Sequence, residues 1–185
     1  MSRKISLSKT QQYLDWLKTK LFLDSNAENA KKRPVKRGEV FRCYLGIGIG
    51  SEESKERPCV ILQHDKANLE SPNTIVAPIT HTSSTLPVVI PIDPKYNNSG
   101  DVVLDGNVLL GNIVCISKAR LGDYVAKLEP TEMEAVDEAI AISLGIKGHY
   151  DKLGNILKDK LTYIDKLKQK IKDLEDQLVQ EKGPN

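Results

Sequence analysis

From about residue 36 to residue 146, apolar residues come in short runs broken at near-regular intervals by Gly, Pro, Asn and Asp. Val40-Phe41-Arg42-Cys43-Tyr44-Leu45, Pro58-Cys59-Val60-Ile61-Leu62-Gln63, Thr74-Ile75-Val76-Ala77-Pro78-Ile79-Thr80 and Val88-Val89-Ile90-Pro91-Ile92 are four of them. Val102-Val103-Leu104, Asn107-Val108-Leu109-Leu110 and Ile113-Val114-Cys115-Ile116 are three more. Apolar runs of this length between turn formers are strands. Their close spacing leaves no room for crossover helices, which predicts a small antiparallel barrel and not a βαβ sheet. Asp105-Gly106 is the usual hairpin dipeptide and predicts a turn. Pro78 and Pro91 donate no ladder hydrogen bond, so they belong at edges or bulges. Gly46, Gly48 and Gly50 predict a mobile loop after the first strand. Pro130-Thr131-Glu132-Met133-Glu134 starts a closing helix with acids in its first turn, and Gly145 stops it.

On either side of this segment the period changes. Ser6-Leu7-Ser8 offers helix caps, and Leu7, Leu14, Leu17 and Leu21 recur at helical spacing with Tyr13 beside them, predicting a helix over about 8–22. Asp24-Ser25-Asn26 ends it, and a basic linker follows. After residue 149, Leu157, Ile164, Ile171 and Leu178 fall at heptad position a. Leu153, Leu167 and Leu174 then fall at d, with Lys160 as one polar d residue. Isoleucine at a with leucine at d favours a parallel two-stranded coil; the other reading is one amphipathic helix docked on its own domain. The organisation expected is therefore an N-terminal helix and basic linker over 1–35, a barrel over 36–148, and a C-terminal amphipathic, coiled-coil-like helix over 149–185.

Charge is distributed unevenly. The net charge is +2, yet residues 1–37 hold ten basic and three acidic side chains, a local +7 that leaves −5 on the rest. A basic arm on a near-neutral body suits an anionic partner such as nucleic acid, and it equally suits a solvated arm. The longest apolar stretches fall far short of the roughly 20 residues that cross a bilayer. Residues 1–21 lack the continuous apolar core of a signal peptide. Cys43, Cys59 and Cys115 form no C-x-x-C pair and are odd in number, which fits buried, reduced thiols in a cytoplasmic protein. His64, His81 and His149 show no metal-ligand spacing. Gly46-x-Gly48-x-Gly50 lacks the further glycine and lysine of a phosphate-binding loop.

One cluster remains that loops would bring together: Ser51-Glu52-Glu53, Glu56-Arg57-Pro58 and Ile79-Thr80-His81-Thr82. Arg57, before the proline that opens a strand, is a candidate to bind a phosphate bidentately. On spacing alone, an arginine in a surface ion pair and hydroxyls capping strand ends account for the same residues.

Lys36-Arg37-Gly38-Glu39-Val40-Phe41, Gly50-Ser51-Glu52, Arg57-Pro58-Cys59-Val60-Ile61, Ser71-Pro72-Asn73-Thr74-Ile75-Val76-Ala77-Pro78-Ile79-Thr80 and Leu86-Pro87, taken in order, resemble the PemK/MazF family of bacterial toxins. Lys118-Ala119-Arg120-Leu121 and the helix Val136–Gly145 extend the likeness to about residue 146. The resemblance implies a mainly β fold with α, an SH3-like small antiparallel β-barrel with helices that forms a homodimer. It implies an endoribonuclease that cuts single-stranded RNA without metal or cofactor, the ribose 2′-OH attacking the adjacent phosphorus to leave a 2′,3′-cyclic phosphate and a 5′-OH. A cognate antitoxin protein is the implied inhibitor, and no membrane partner is implied. By the same resemblance Arg57 and Thr80 are the catalytic pair, and Ser51 binds substrate from the loop. Glu52, His81 and Asn112 are further candidates for substrate contacts, and His81 is also a candidate general base beside Thr80.

The sequence departs from the family at His64, where an asparagine is usual, and at Gly111-Asn112-Ile113-Val114, where relatives often carry Glu-Gln-x-Arg. The RNA sequence read by relatives is therefore not carried over. The N-terminal helix and the heptads lie outside the resemblance. They keep two further readings open: a non-catalytic barrel module of the gyrase-inhibitor type, and a scaffold built on the coiled coil.

Overall fold

The computed structural model describes residues 5–181, so Arg3 and Lys4 of the basic arm and the last four residues of the C-terminal segment lie outside the described residues. The elements are α1 (Leu7–Ser25), α2 (Ala27–Ala30), β1 (Glu39–Gly46), β2 (Lys55–Ile61), α3 (Asp65–Glu70), β3 (Asn73–Thr80), β4 (Val89–Tyr96), β5 (Val102–Leu109), β6 (Val114–Ser117), a 3-10 turn (Lys118–Arg120), β7 (Leu121–Lys127), α4 (Pro130–Ser143) and α5 (Lys147–Glu181). Two compact units result, one ending at Ser143 and one beginning at Leu144.

In the first unit the strands run in the order β4-β5-β3-β2-β1-β7, all antiparallel, with β6 pairing the first half of β3. Val108 of β5 and Ala126 of β7 stand near opposite ends of that order, yet both belong to one core with Val40, Val60, Ala77 and Ile79. The sheet therefore curls into a half-barrel, and Val136 and Ala139 of α4 close it. A second core of Val35, Phe41, Cys43, Cys59, Ile61, Val76, Ile116 and Leu121 covers the other face. Burial on both faces explains why these strands lack clean polar alternation in the sequence. The prolines lie where no donor is needed. Pro91 is on the edge strand β4, and Pro78 lies where β3 leaves β6 and takes up β5, with neither strand opposite it.

Three expectations are corrected. Asp105-Gly106 is not a hairpin turn but the middle of β5. Gly106, at φ +113°, faces Ile92, and the register with β4 then slips before Lys95 meets Leu104, so the glycine marks a bulge. The real turn is Asn97–Asp101, where the Asn97 side-chain oxygen accepts from the N–H of Ser99 and of Asp101, each at 2.9 Å. The linker after Asn26 includes the short helix α2. Cys115 is exposed, because β6 is short and paired only to β3, whereas Cys43 and Cys59 are buried.

The N-terminal helix joins this unit through few contacts. The Trp16 indole packs against Gly46, where an added Cβ would stand 2.6 Å from Trp16 Cζ2. The Arg120 guanidinium lies 5.4 Å from the indole centroid. Arg33 donates to the carbonyls of Leu121 and Gly122 and lies over the Phe41 ring. Leu7, Leu14, Leu17 and Leu21 stay exposed, so the apolar stripe of α1 is not spent on this core.

Glu132 ties α4 to β4. Its carboxylate accepts from the N–H of Glu129 (2.7 Å), as in a capping box, from the N–H of Asp93 (2.9 Å) and from Lys95 Nζ (2.7 Å). Burial pushes its pKa up, but the bonds from Lys95, Glu129 and Asp93 outweigh burial and hold it below the ordinary carboxylate value. The folded form thus prefers the charged group, and this stabilisation is present at neutral pH and lost as pH falls through the depressed value. Glu132→Gln is expected to cost about 1–3 kcal/mol in urea unfolding at neutral pH. In acid, where the wild-type carboxyl is also protonated, the gap between the two proteins should close.

Candidate functional site

The candidate residues sit where β1, β2 and β3 end on one face of the sheet. Side chains alternate along a strand. Phe41 and Cys43 of β1, Cys59 and Ile61 of β2 and Val76 of β3 belong to the second core, while Val40, Val60, Ala77 and Ile79 belong to the first. Counting outward from these, Arg57 and Thr80 fall on the second-core face. β2 and β3 pair through Ile61↔Val76 and Cys59↔Pro78. Continuing that register two residues sets Arg57 opposite Thr80. The two are 23 residues apart in the chain, and the β2–β3 pairing itself ends at Cys59 and Pro78, beyond which Arg57 pairs with Cys43 of β1 and Thr80 with Asn107 of β5.

Arg57 is half-buried. Its Nε is shielded from solvent and makes no hydrogen bond, although Glu53 Oε2 lies 3.3 Å away. Glu53 balances the guanidinium charge without taking a hydrogen bond from Nε, which leaves that donor available to an anion. Thr80 is 7% exposed. Its Oγ1 accepts from the Thr82 N–H at 3.0 Å and contacts Thr82 Oγ1 at 3.1 Å. The backbone bond fixes the oxygen while the hydroxyl hydrogen can still rotate.

A cleft of about 600 Å³ is lined by Leu45, Ile47, Gly48, Glu52, Glu53, Pro78, residues 111–117 and Arg120; neither Arg57 nor Thr80 lines it, and Arg57 adjoins it through Glu53. It therefore brings Glu52 and Asn112 together. The Glu52 carboxylate accepts from the Ile49 N–H at 2.8 Å and holds the tip of the loop after β1. Ser51 is exposed at that tip and does not line the cleft. His81 is also outside it, with Nε2 at 2.7 Å from Asp105 Oδ1 on the exposed side of Thr80. His64 caps α3, its Nδ1 accepting from the Lys66 N–H.

Two residues of the site were given no role by the sequence. Glu53 belonged to the cluster expected to gather with Arg57, and the structure makes it the carboxylate beside that arginine. Arg120 lines the cleft and donates to the carbonyls of Tyr44 (3.2 Å) and Leu45 (3.1 Å), which braces the end of β1. Beneath the site the Cys43 side chain, then burial, pushes the Cys59 thiol far above its ordinary value. Cys59 therefore stays a neutral thiol, whose Sγ bonds the Arg57 carbonyl, and supplies no thiolate. Among the described residues no three His, Cys, Asp or Glu side chains are grouped to hold a metal ion. What the arrangement offers is a charged fork and a fixed hydroxyl beside an open cleft, which suits binding and stabilising a phosphate.

Residues 36–144 match the family model described as PemK-like, MazF-like toxin of type II toxin–antitoxin system. The endoribonuclease EndoA of Bacillus subtilis (strain 168) is 40% identical over 115 residues, 60% of this chain and 96% of that protein. A mycobacterial endoribonuclease solved in complex with its cognate antitoxin is 28% identical, with a TM-score of 0.51 over 60% of this chain and 96% of its own. A second mycobacterial endoribonuclease structure is 26% identical, with a TM-score of 0.51 over 62% and 94%.

Proposed function

This chain belongs to the PemK-like, MazF-like toxins of type II toxin–antitoxin systems, and from that premise we propose that it is an endoribonuclease that cuts single-stranded RNA without a metal and is restrained by a cognate antitoxin. What supports this reading is that Arg57 and Thr80 lie on one face of the sheet, with Arg57 Nε left without a hydrogen bond and its neighbour Glu53 lining the cleft.

The scissile phosphate lies against the Arg57 fork. The ribose 2′-OH gives up its proton to solvent water and its oxygen attacks the adjacent phosphorus. Negative charge grows on the non-bridging oxygens of the pentavalent phosphorane, and Arg57 stabilises it there. Thr80 turns its hydroxyl hydrogen from Thr82 to one of those oxygens. The bond from phosphorus to the 5′-oxygen breaks, and that oxygen takes a proton from solvent water and leaves as a 5′-OH, which balances the proton released at the 2′-OH. The other product is a 2′,3′-cyclic phosphate, and no water is consumed. The guanidinium supplies from the chain the charge that a metal would otherwise bring. Glu52 and Asn112 contact bases in the cleft, and Ser51 and His81 hold flanking nucleotides from the rims, since single-stranded RNA presents unstacked base edges to such groups. The active form is a homodimer.

The test is incubation of mixed-sequence single-stranded RNA with the protein in excess chelator, followed by end analysis. Fragments with 5′-OH and 2′,3′-cyclic phosphate ends are expected. RNA that stays intact, or that is cut only when a divalent cation is restored, refutes the reading.

A further inference from the structure

α5 is one continuous helix of 35 residues, about 50 Å long at the usual rise. It lies beyond the family match, and its seam residues Leu153, Leu157, Ile164, Leu167, Ile171, Leu174 and Leu178 are each 41–61% exposed. A stripe of seven large aliphatic side chains on one face of a helix is costly to leave in water.

We propose that α5 pairs in parallel and in register with α5 of a second copy of this chain, forming a two-stranded coiled coil. The flanking positions argue for this occupant and orientation. In a parallel, in-register pair each g residue faces the e residue five positions later in the other helix. With Leu157 at a, those pairs are Ile156 with Leu161 of the second copy, Tyr163 with Lys168, and Lys170 with Glu175. The first is apolar, the second sets a cation by an aromatic ring, and the third joins opposite charges. None sets like charges together. The Ile156–Leu161 pair also flanks the one polar d residue, Lys160. Apolar surface at e and g there covers the layer that Lys160 weakens, while its ammonium reaches water along its own stem. The inference is independent of the nuclease reading, because no residue in it belongs to the cleft.

Disulfide trapping of the full-length protein tests it. Leu157→Cys and Leu178→Cys, at opposite ends of the seam, are made singly in a Cys115→Ser background, which removes the exposed native thiol. Each keeps all but one of the apolar seam residues. Thr162→Cys, on the outer face at f, is the control. Facing a positions in a parallel coil meet the Cα separation of about 4.4–6.8 Å that a disulfide needs, and f positions do not. Both a variants are expected to form interchain disulfides at least about tenfold faster than the control. Rates equal to the control, or fast trapping at only one of the two sites as in an antiparallel or shifted pair, overturn the proposal.

Discussion

Arg57→Ala is expected to lower the rate of RNA cleavage by about 10²-fold or more, the usual loss when one preorganised stabiliser of transition-state charge is removed. Its fold should be unaffected. The side chain is half-exposed, its one ionic partner Glu53 is reached from a flexible stem, and the Cα remains in the β1–β2 ladder opposite Cys43. Arg42→Ala is the matched control. Arg42 sits on the neighbouring strand β1, also pairs with a glutamate (Glu56, 3.6 Å), and alternation puts it on the opposite face. The two variants lose the same charge, and only Arg57 should lose the chemistry, with Arg42→Ala within a few-fold of wild type. Arg57→Lys should fall between them, since an ammonium keeps the charge and loses the planar fork. Single-turnover cleavage at saturating RNA separates rate from binding. Arg57→Ala cutting at the wild-type rate would remove the phosphorane role and with it the proposed mechanism.

The strands were legible because short apolar runs between turn formers have few other solutions. The side of the sheet that each residue faces was also implicit in the alternation, once the register was known. What the sequence withheld was partner choice. Glu53 lies four residues before Arg57, a spacing that carries no meaning outside a helix; only the loop between β1 and β2 makes them neighbours. Trp16 lies between Leu14 and Leu17 of the leucine stripe, and its spacing assigns it no partner. In the structure the leucines stay exposed while the indole docks against Gly46, with the Arg120 guanidinium over its ring. Lys118 sits among core residues with its Nζ donating to the Asn68 carbonyl, and nothing in a run of four residues distinguishes that lysine from a surface one. Each of these depends on a contact between segments far apart in the chain, which local pattern does not encode.

Gly106 joins the fold to the site, and Gly106→Ala is expected to destabilise the first unit by about 2–4 kcal/mol, combining left-handed strain with a clash against backbone. Two X-Gly dipeptides in this region carry positive φ, and the sequence does not tell a turn from a bulge. Gly100, at φ +85°, closes the Asn97 turn with open space where a Cβ would go. Gly106, at φ +113°, has the Thr80 carbonyl oxygen 2.6 Å and its carbon 3.0 Å from that position. Gly100→Ala therefore reports strain alone, about 1 kcal/mol, and the excess at Gly106 measures the close approach of β5 to β3. Because the displaced backbone belongs to Thr80, cleavage by the folded fraction of Gly106→Ala should fall as well, while Gly100→Ala stays at the wild-type rate. Urea unfolding and single-turnover cleavage of both variants check this. Equal stability losses at the two glycines would mean that β3 can yield at Thr80, and that the hydroxyl is less firmly held than the proposed chemistry requires.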